Sequence, residues 1–433
     1  MAANIGFVTY HGGLPVNDFR YLSTKETLDL DWDDPWYSRF RNKNLKRQFD
    51  APLSVFLYVE HFEVRKEVII RPKDMQQWKD LGLTDRKIIR AEEQADLKKQ
   101  VTDFLIDRGR VLIDDKPVPP VLDRMHFIRR SLRKTGVIEP PEDLDINSAT
   151  LGVIFVYRIK KLPKKVTMEW DLFGDKIQQV TADATDEAGG MPTTLTRSEP
   201  VLLWQNFLTN PKIPAMVAIA PPPEPHRIHL PIVSLVIGLV AVISSILMIR
   251  RFRNGHRISV MPIAFLLAVV LTSVWCIRYR ASFAHPFDDH KQISTNDAIE
   301  IQDGLLHNIY RSFDHRDASL IYDTLEVSIS GELLNEMYLQ IRRGIELENQ
   351  GGARVRVEEV KVEMAEIEFL HERVAFVSKC RWTVSGSVSH WGHTHRRTFQ
   401  YSAAFTIEAV KQQWKITAQE LLDARRVTTQ PTG

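Results

Sequence analysis

From Leu230 to Ile249, and again from Ile258 to Ile277, the chain carries no charged side chain. A run of about 20 residues rises about 30 Å as a helix, the thickness of the hydrocarbon core of a bilayer. A buried helix of a soluble protein rarely carries Ile, Leu and Val on every face over such a length, so both runs read as transmembrane helices, 230–249 and 258–277. Pro231 and Pro262 stand in first turns, where proline is tolerated. The connection, RRFRNGHRIS, is short, so the two helices form a hairpin and whatever flanks them lies on one side of the membrane. Arg250, Arg251, Arg253 and Arg257 outnumber the flanking charges Arg227, Arg278 and Arg280. By the positive-inside rule, 250–257 is a cytoplasmic loop and both large domains are extracytoplasmic, in a plasma or inner membrane. The stretch MAANIGFVTYHGGLPV has neither a basic n-region nor a long apolar h-region. An extracytoplasmic placement therefore carries the expectation of a start upstream of Met1; the alternative is an inverted orientation.

A length of 433 residues suggests two or three domains. With 57 Lys+Arg against 55 Asp+Glu and no long charge block, the chain lacks the basic face of a dedicated nucleic-acid binder. Two cysteines, Cys276 inside an apolar run and Cys380, cannot make a disulfide framework or a cysteine-rich metal site.

Residues 1–210 read as a β-rich, sandwich-like domain with helical insertions. In HFEVRKEVII, Phe62, Val64, Val68 and Ile70 fall on one face and His61, Glu63, Arg65 and Glu67 on the other, the pattern of a half-buried strand. TLGVIFVYRI (150–159) is apolar on both faces, as a central strand would be, and VTMEWDLF points Val166, Met168 and Trp170 inward. Asp114 and Asp115 mark a turn between short strands. A helix is expected through AEEQADLKKQVTDFLIDRG, with Leu97, Val101, Phe104 and Leu105 on one stripe, and a second from about Val121 to Arg133. In DLDWDDPWYSRF the alternate aspartates invite a calcium loop, but Asp34 stands where glycine is needed and Phe40 where glutamate is, so a turn before Pro35 is the better reading. The proline-rich stretch PKIPAMVAIAPPPEPH, within 211–229, reads as an extended spacer between domain and bilayer.

After a linker at 278–293, the segment 294–427 reads as helices followed by an antiparallel sheet, with a short tail at 428–433. Helical stripes run through Leu306, Ile309, Tyr310 and Phe313, through a helix capped by Asp317, and through Leu334, Met337, Tyr338, Ile341 and Ile345. Four strands follow: the first has a phase shift near Glu358 and Glu359, the third faces Phe399, Tyr401, Ala403, Phe405 and Ile407 one way, and the last is QWKITAQEL. Helices first and then a meander closing on Trp414-Lys415-Ile416-Thr417 resemble the cone-shaped α+β domains of the nuclear transport factor 2-like superfamily, over about the last third of the chain. The resemblance implies the fold; members include isomerases and dehydratases as well as binding domains, and no carboxylate and donor pair facing a cavity can be placed here.

SHWGHTHRR is the one chemically suggestive cluster. His390, His393 and His395 could hold a transition metal, against which stands a polar hairpin tip whose Arg396 and Arg397 repel a cation and suit an anion. No P-loop, dinucleotide fingerprint, nucleophile elbow or zincin motif occurs. The expectation is a membrane-anchored, non-enzymatic binding or assembly protein with no organic cofactor and no nucleic-acid partner. Its partners would be the lipid bilayer and another protein or a second copy. The alternatives are an enzyme using the cone and a metal-handling envelope protein.

Overall fold

The computed structural model describes residues 5–21, 24–47, 52–130, 135–211, 213–223, 227–253, 260–284, 293–351, 354–370, 373–390 and 393–427. The principal elements before the apolar region are β1 (Leu53–Val59), β2 (Glu63–Ile70), α1 (Gln94–Leu105), β3 (Arg110–Ile113), β4 (Lys116–Pro117), β5 (Val121–Arg130), β6 (Thr135–Val137), β7 (Leu151–Arg158), β8 (Lys165–Glu169), β9 (Gln179–Asp186), β10 (Gly189–Thr196) and β11 (Val201–Gln205). They build a seven-stranded sheet in the order β6-β5-β7-β2-β1-β9-β10 and a four-stranded sheet in the order β4-β3-β8-β11. Only β9 and β1 pair in parallel among these neighbours. Both sheets bury their apolar sides in one core, with Val153, Phe155 and Val68 from the first meeting Val166, Met168 and Trp204 from the second. The sandwich expectation holds. Asp114 and Asp115 turn the chain from β3 to β4 with φ of 50° and 62°, and α1 adds Leu97, Val101 and Leu105 to the core.

Two expectations fail in this domain. The run from Val121 is strand β5, not a helix, because hydrogen bonding to β7 and β6 on its two sides outweighs a pattern compatible with either period. Strand β2 is buried along its whole length, so Glu63, Arg65 and Glu67 do not face water. On its core side Lys66 is buried as well, its ammonium donating to the carbonyls of Arg108 (2.5 Å) and Gly109 (3.3 Å).

The middle of the chain has β12 (Arg227–Leu230), α2 (Ile232–Arg253), α3 (Val260–Trp275) and β13 (Ala281–Ala284). Leu230 thus belongs to β12, which pairs antiparallel with β13, so the linker expected at 278–293 contains a strand. Arg250, Arg251 and Arg253 extend the helix instead of forming a loop; basic residues at a helix C-terminus interact favourably with its dipole. Arg257 and the rest of 254–259 lie outside the described residues. Among the described residues one helix is long and apolar enough to cross a membrane, through Ile232–Arg250; α3, with 16 residues, is shorter than the 258–277 span expected for it. Ser234 and Ser273 hydrogen-bond across the pair at 3.2 Å, and Gly238 faces Ser273. Leu235, Leu239, Val242, Ile246 and Leu247 stay exposed.

The carboxy-terminal region has α4 (Thr295–Tyr310), α5 (Ala318–Glu326), α6 (Glu332–Gly351), β14 (Arg354–Leu370), β15 (Ala375–His390), β16 (His393–Val410) and β17 (Gln413–Val427), the strands forming one antiparallel sheet in sequence order. Asp317 caps α5 by accepting from Ser319 N, and the expected bulge falls between Val357 and Glu359. Helices and sheet share a core of Leu305, Ile309, Phe376, Trp382, Phe405 and Trp414. The proline-rich stretch is not a free spacer. The Asn308 side chain of α4 grips Val217 at both backbone groups, accepting from its N–H at 2.7 Å and donating to its carbonyl at 3.0 Å. Ile219 beside it packs over Gly304, where a Cβ would stand 3.0 Å from its side chain. A long-range clamp by a side-chain amide has no sequence signature on the proline side.

Candidate functional site

The outer face of the seven-stranded sheet turns away from the shared core and carries charge. Strand alternation puts Glu63, Arg65 and Glu67 of β2 on this face, because their neighbours Val64 and Val68 take the core side. A bulge in β5 between Leu122 and Arg124 adds Asp123. Charged side chains on an open face would be solvated, but here the loop before α5 of the carboxy-terminal region covers them. Arg316 reaches across with a two-pronged contact to Glu63, Nε to Oε2 at 2.7 Å and Nη2 to Oε1 at 3.3 Å, and its Nη1 binds Asp123.

The pairs continue sideways. Arg124 Nε meets Asp123 Oδ2 at 2.7 Å, and Arg65 Nη2 meets Glu60 Oε1 at 2.8 Å. Arg65 also lies over the Tyr58 ring at 4.9 Å. Arg65, Arg124 and Arg316 therefore oppose Glu60, Glu63 and Asp123, a balanced cluster whose arginines at 65 and 124 are almost fully buried. Burial works against the Arg316 cation, but Glu63 and then Asp123 more than offset it and hold its pKa above the ordinary value. Arg124 is the opposite case: burial outweighs Asp123 and its pKa is lowered.

Around this cluster the two regions touch at further points. The His315 ring packs on Phe62 at 5.6 Å, and His61 lies buried beside Pro214, Phe313, Asp314 and Arg356. Next to it opens a cleft of about 860 Å³. One wall offers Glu60 and Glu187, the other Arg311 and Arg356, and Arg356 pairs with Glu187 across it at 3.8 Å. Acid facing base across a seam favours closing it and leaves little net charge to attract an ion.

The residues singled out in the sequence fall elsewhere. His390 pairs with His393 and Val388 with His395 in the β15–β16 hairpin, but the side chains at these three histidines lie outside the described residues. Among the described residues no group of three His, Cys, Asp or Glu is placed to hold a metal. Arg396 lines the cleft and meets Glu358 at 3.8 Å. Sequence reading missed Arg316, Glu63, Asp123 and Arg124 as a unit, since partners 193 and 253 residues apart leave no local pattern. No protein-family model matches the chain, and no curated protein matches it either.

Proposed function

We propose that the chain is a membrane-anchored binding or assembly protein. A two-helix hairpin, α2 and α3, holds its two domains on the extracytoplasmic side, where they engage another protein or a second copy. The observation that carries this reading is the apolar surface of α2. Only 11% of its spanning window is buried, so a helix of this length would expose isoleucine, leucine and valine to water all round unless lipid covers it. The ribbon β12–β13 supports the hairpin by joining the chain just before α2 to the chain just after α3. Helix α3 is about 24 Å long, and a span that short is accommodated by local bilayer thinning and by flanking anchors. Arg278 over the Trp275 ring at 5.0 Å supplies such an anchor.

A binding role is favoured over catalysis in the carboxy-terminal domain because aromatic side chains fill the space between helices and sheet. Phe376, Phe405, Trp382 and Trp414 are 0%, 2%, 3% and 4% exposed. The Arg316 cluster makes the two domains one unit for a partner to grip.

Topology is the test. Reporters active only outside the cytoplasm, or fluorescent only inside it, are fused after Asn210 and after Gly433. Outside activity at both positions is expected. Opposite sides would reduce the hairpin to a single span, both inside would overturn the extracytoplasmic placement, and extraction by alkaline carbonate would overturn the membrane reading itself.

A further inference from the structure

Strand β17 is the last in the carboxy-terminal sheet, with β16 on one side. On its other side the loop after α5 closes the edge at one point only: Ile416 N donates to the Ser328 carbonyl at 2.8 Å and Ser330 N to the Ile416 carbonyl at 3.1 Å. From Ala418 to Val427, among the described residues, the strand pairs with β16 alone. A strand turns about half of its backbone N–H and C=O groups to each side, so a stretch of this length presents roughly 30 Å of unpaired donors and acceptors. The side chains are as open as the backbone. Both faces are exposed along most of this stretch, and Leu421 and Leu422 are 57% and 55% accessible.

Open edges are commonly guarded by lysines, whose like charges repel another copy of the same strand. The order on β17 is different: Asp423, Ala424, Arg425 and Arg426 set an acid and a base on either side of an alanine. Arg425 donates to the neutral side-chain oxygen of Gln400 at 2.9 and 2.5 Å, which fixes the guanidinium without balancing its charge. Among the described residues no carboxylate pairs with Arg425 and no cation with Asp423. In an antiparallel pair of identical strands, residues equally far from the twofold axis stand opposite each other. With the axis at Ala424, Asp423 faces Arg425 of the second copy, and symmetry supplies the pair twice. Axes at Asp423, Arg425 or Arg426 would each set like charges face to face, which destabilises a pair.

We propose that β17 is a self-pairing edge: two copies of the chain join antiparallel through β17 about a twofold axis at Ala424, so that two four-stranded sheets become one of eight strands. The backbone hydrogen bonds supply the attachment and the Asp423–Arg425 pairs select the register. The register shift between Ser402 and Ala403 leaves Leu422 as an extra residue in β17, so regular pairing ends there and the two exposed leucines come to lie beside Arg426 and Val427 of the second copy. The inference rests on the assembly reading and names its partner as a second copy, but it uses no residue of α2, α3 or the Arg316 cluster.

Disulfide trapping and a charge exchange test it on the full chain, with Cys276→Ser and Cys380→Ala removing the native thiols. Across an antiparallel pair opposite Cα atoms stand about 4.5–5.5 Å apart, within disulfide reach. Ala424→Cys should therefore give a covalent dimer under mild oxidation. Ala418→Cys, on the same strand, would stand about 40 Å from its own copy and should not. Asp423→Arg and Arg425→Asp should each weaken the dimer on the order of tenfold in sedimentation equilibrium, because symmetry counts each change twice, and the two together should restore it by exchanging the partners. Trapping is read in both the carbonate-resistant membranes and the extract, so loss of the anchor and loss of the dimer are told apart. A monomer at tens of micromolar, equal trapping at Ala418→Cys, or a double variant no tighter than either single one would each overturn the assignment.

Discussion

Replacing Arg316 by methionine keeps most of the side-chain volume and removes the charge that joins the two domains. Glu63, 4% exposed, and Asp123 would then face each other without their shared cation. Breaking a buried pair by deleting one partner costs about 3–5 kcal/mol. Arg65 and Arg124 remain beside the two carboxylates, so the lower figure applies, and about 3 kcal/mol reduces the ratio of docked to separated domains on the order of a hundredfold. Spin labels at Lys161→Cys and Glu332→Cys, on exposed positions of the two domains and with the native cysteines replaced, report that ratio as a distance distribution. A single narrow distance is expected for the parent chain and a broad, longer one for Arg316→Met. Adding Glu63→Gln and Asp123→Asn should restore much of the narrow distance, because the penalty comes from stranded carboxylates and not from the missing guanidinium as such. If Arg316→Met alone keeps the narrow distance and the same thermal midpoint, the ion cluster does not hold the domains and the argument fails.

Three further outcomes follow from buried groups. Phe405→Ala should destabilise the carboxy-terminal domain by about 3–5 kcal/mol, read from the denaturant midpoint, and a shift under about 1 kcal/mol would mean that the aromatic core is loosely packed. His61, 5% exposed at the seam, has neither ring nitrogen hydrogen-bonded among the described residues, and Glu63 and Asp314 share its surroundings. Burial first and Arg356 second hold its pKa below 6.5, against Glu187 and Glu60. The separated state, with an ordinary pKa of about 6.5, then binds more protons between the lowered value and that point, so docking is full above it and weakens as pH falls through the window. The same spin-label distance measured at pH 7.5 and 5.5 should show this, and His61→Gln should flatten it; a pH-independent parent chain would refute the linkage. Cys380, 3% exposed with its thiol pushed up to about 12 by burial, should resist maleimide at neutral pH and react once the domain unfolds, whereas rapid native labelling would contradict its placement.

Patterns spanning a few residues were legible in the sequence, and contacts across the chain were not. Strands β7 and β8, the α1 stripe, the Asp317 cap and the bulge at Val357 all follow from spacing that one element carries by itself. The segment at Val121 misled because Leu122, Met125 and Ile128 satisfy a helical stripe while Met125 and Phe127 satisfy a strand, and only its neighbours β6 and β7 decide. Charges on β2 read as a wet face because Arg316 lies far along the chain.

The Asn308 clamp has a mechanical consequence. Ile219 is fixed to the carboxy-terminal domain, and only twelve residues separate it from Ile232 at the start of α2. A chain of that length extends at most about 45 Å. If α2 is embedded in lipid, the paired domains cannot roam: they are moored with their clamped edge inside that radius, and a partner standing farther from the bilayer would have to come to them. Loosening Asn308 would lengthen the mooring by several residues without changing a single contact surface, so the reach of the protein and its affinity are set by different parts of the molecule.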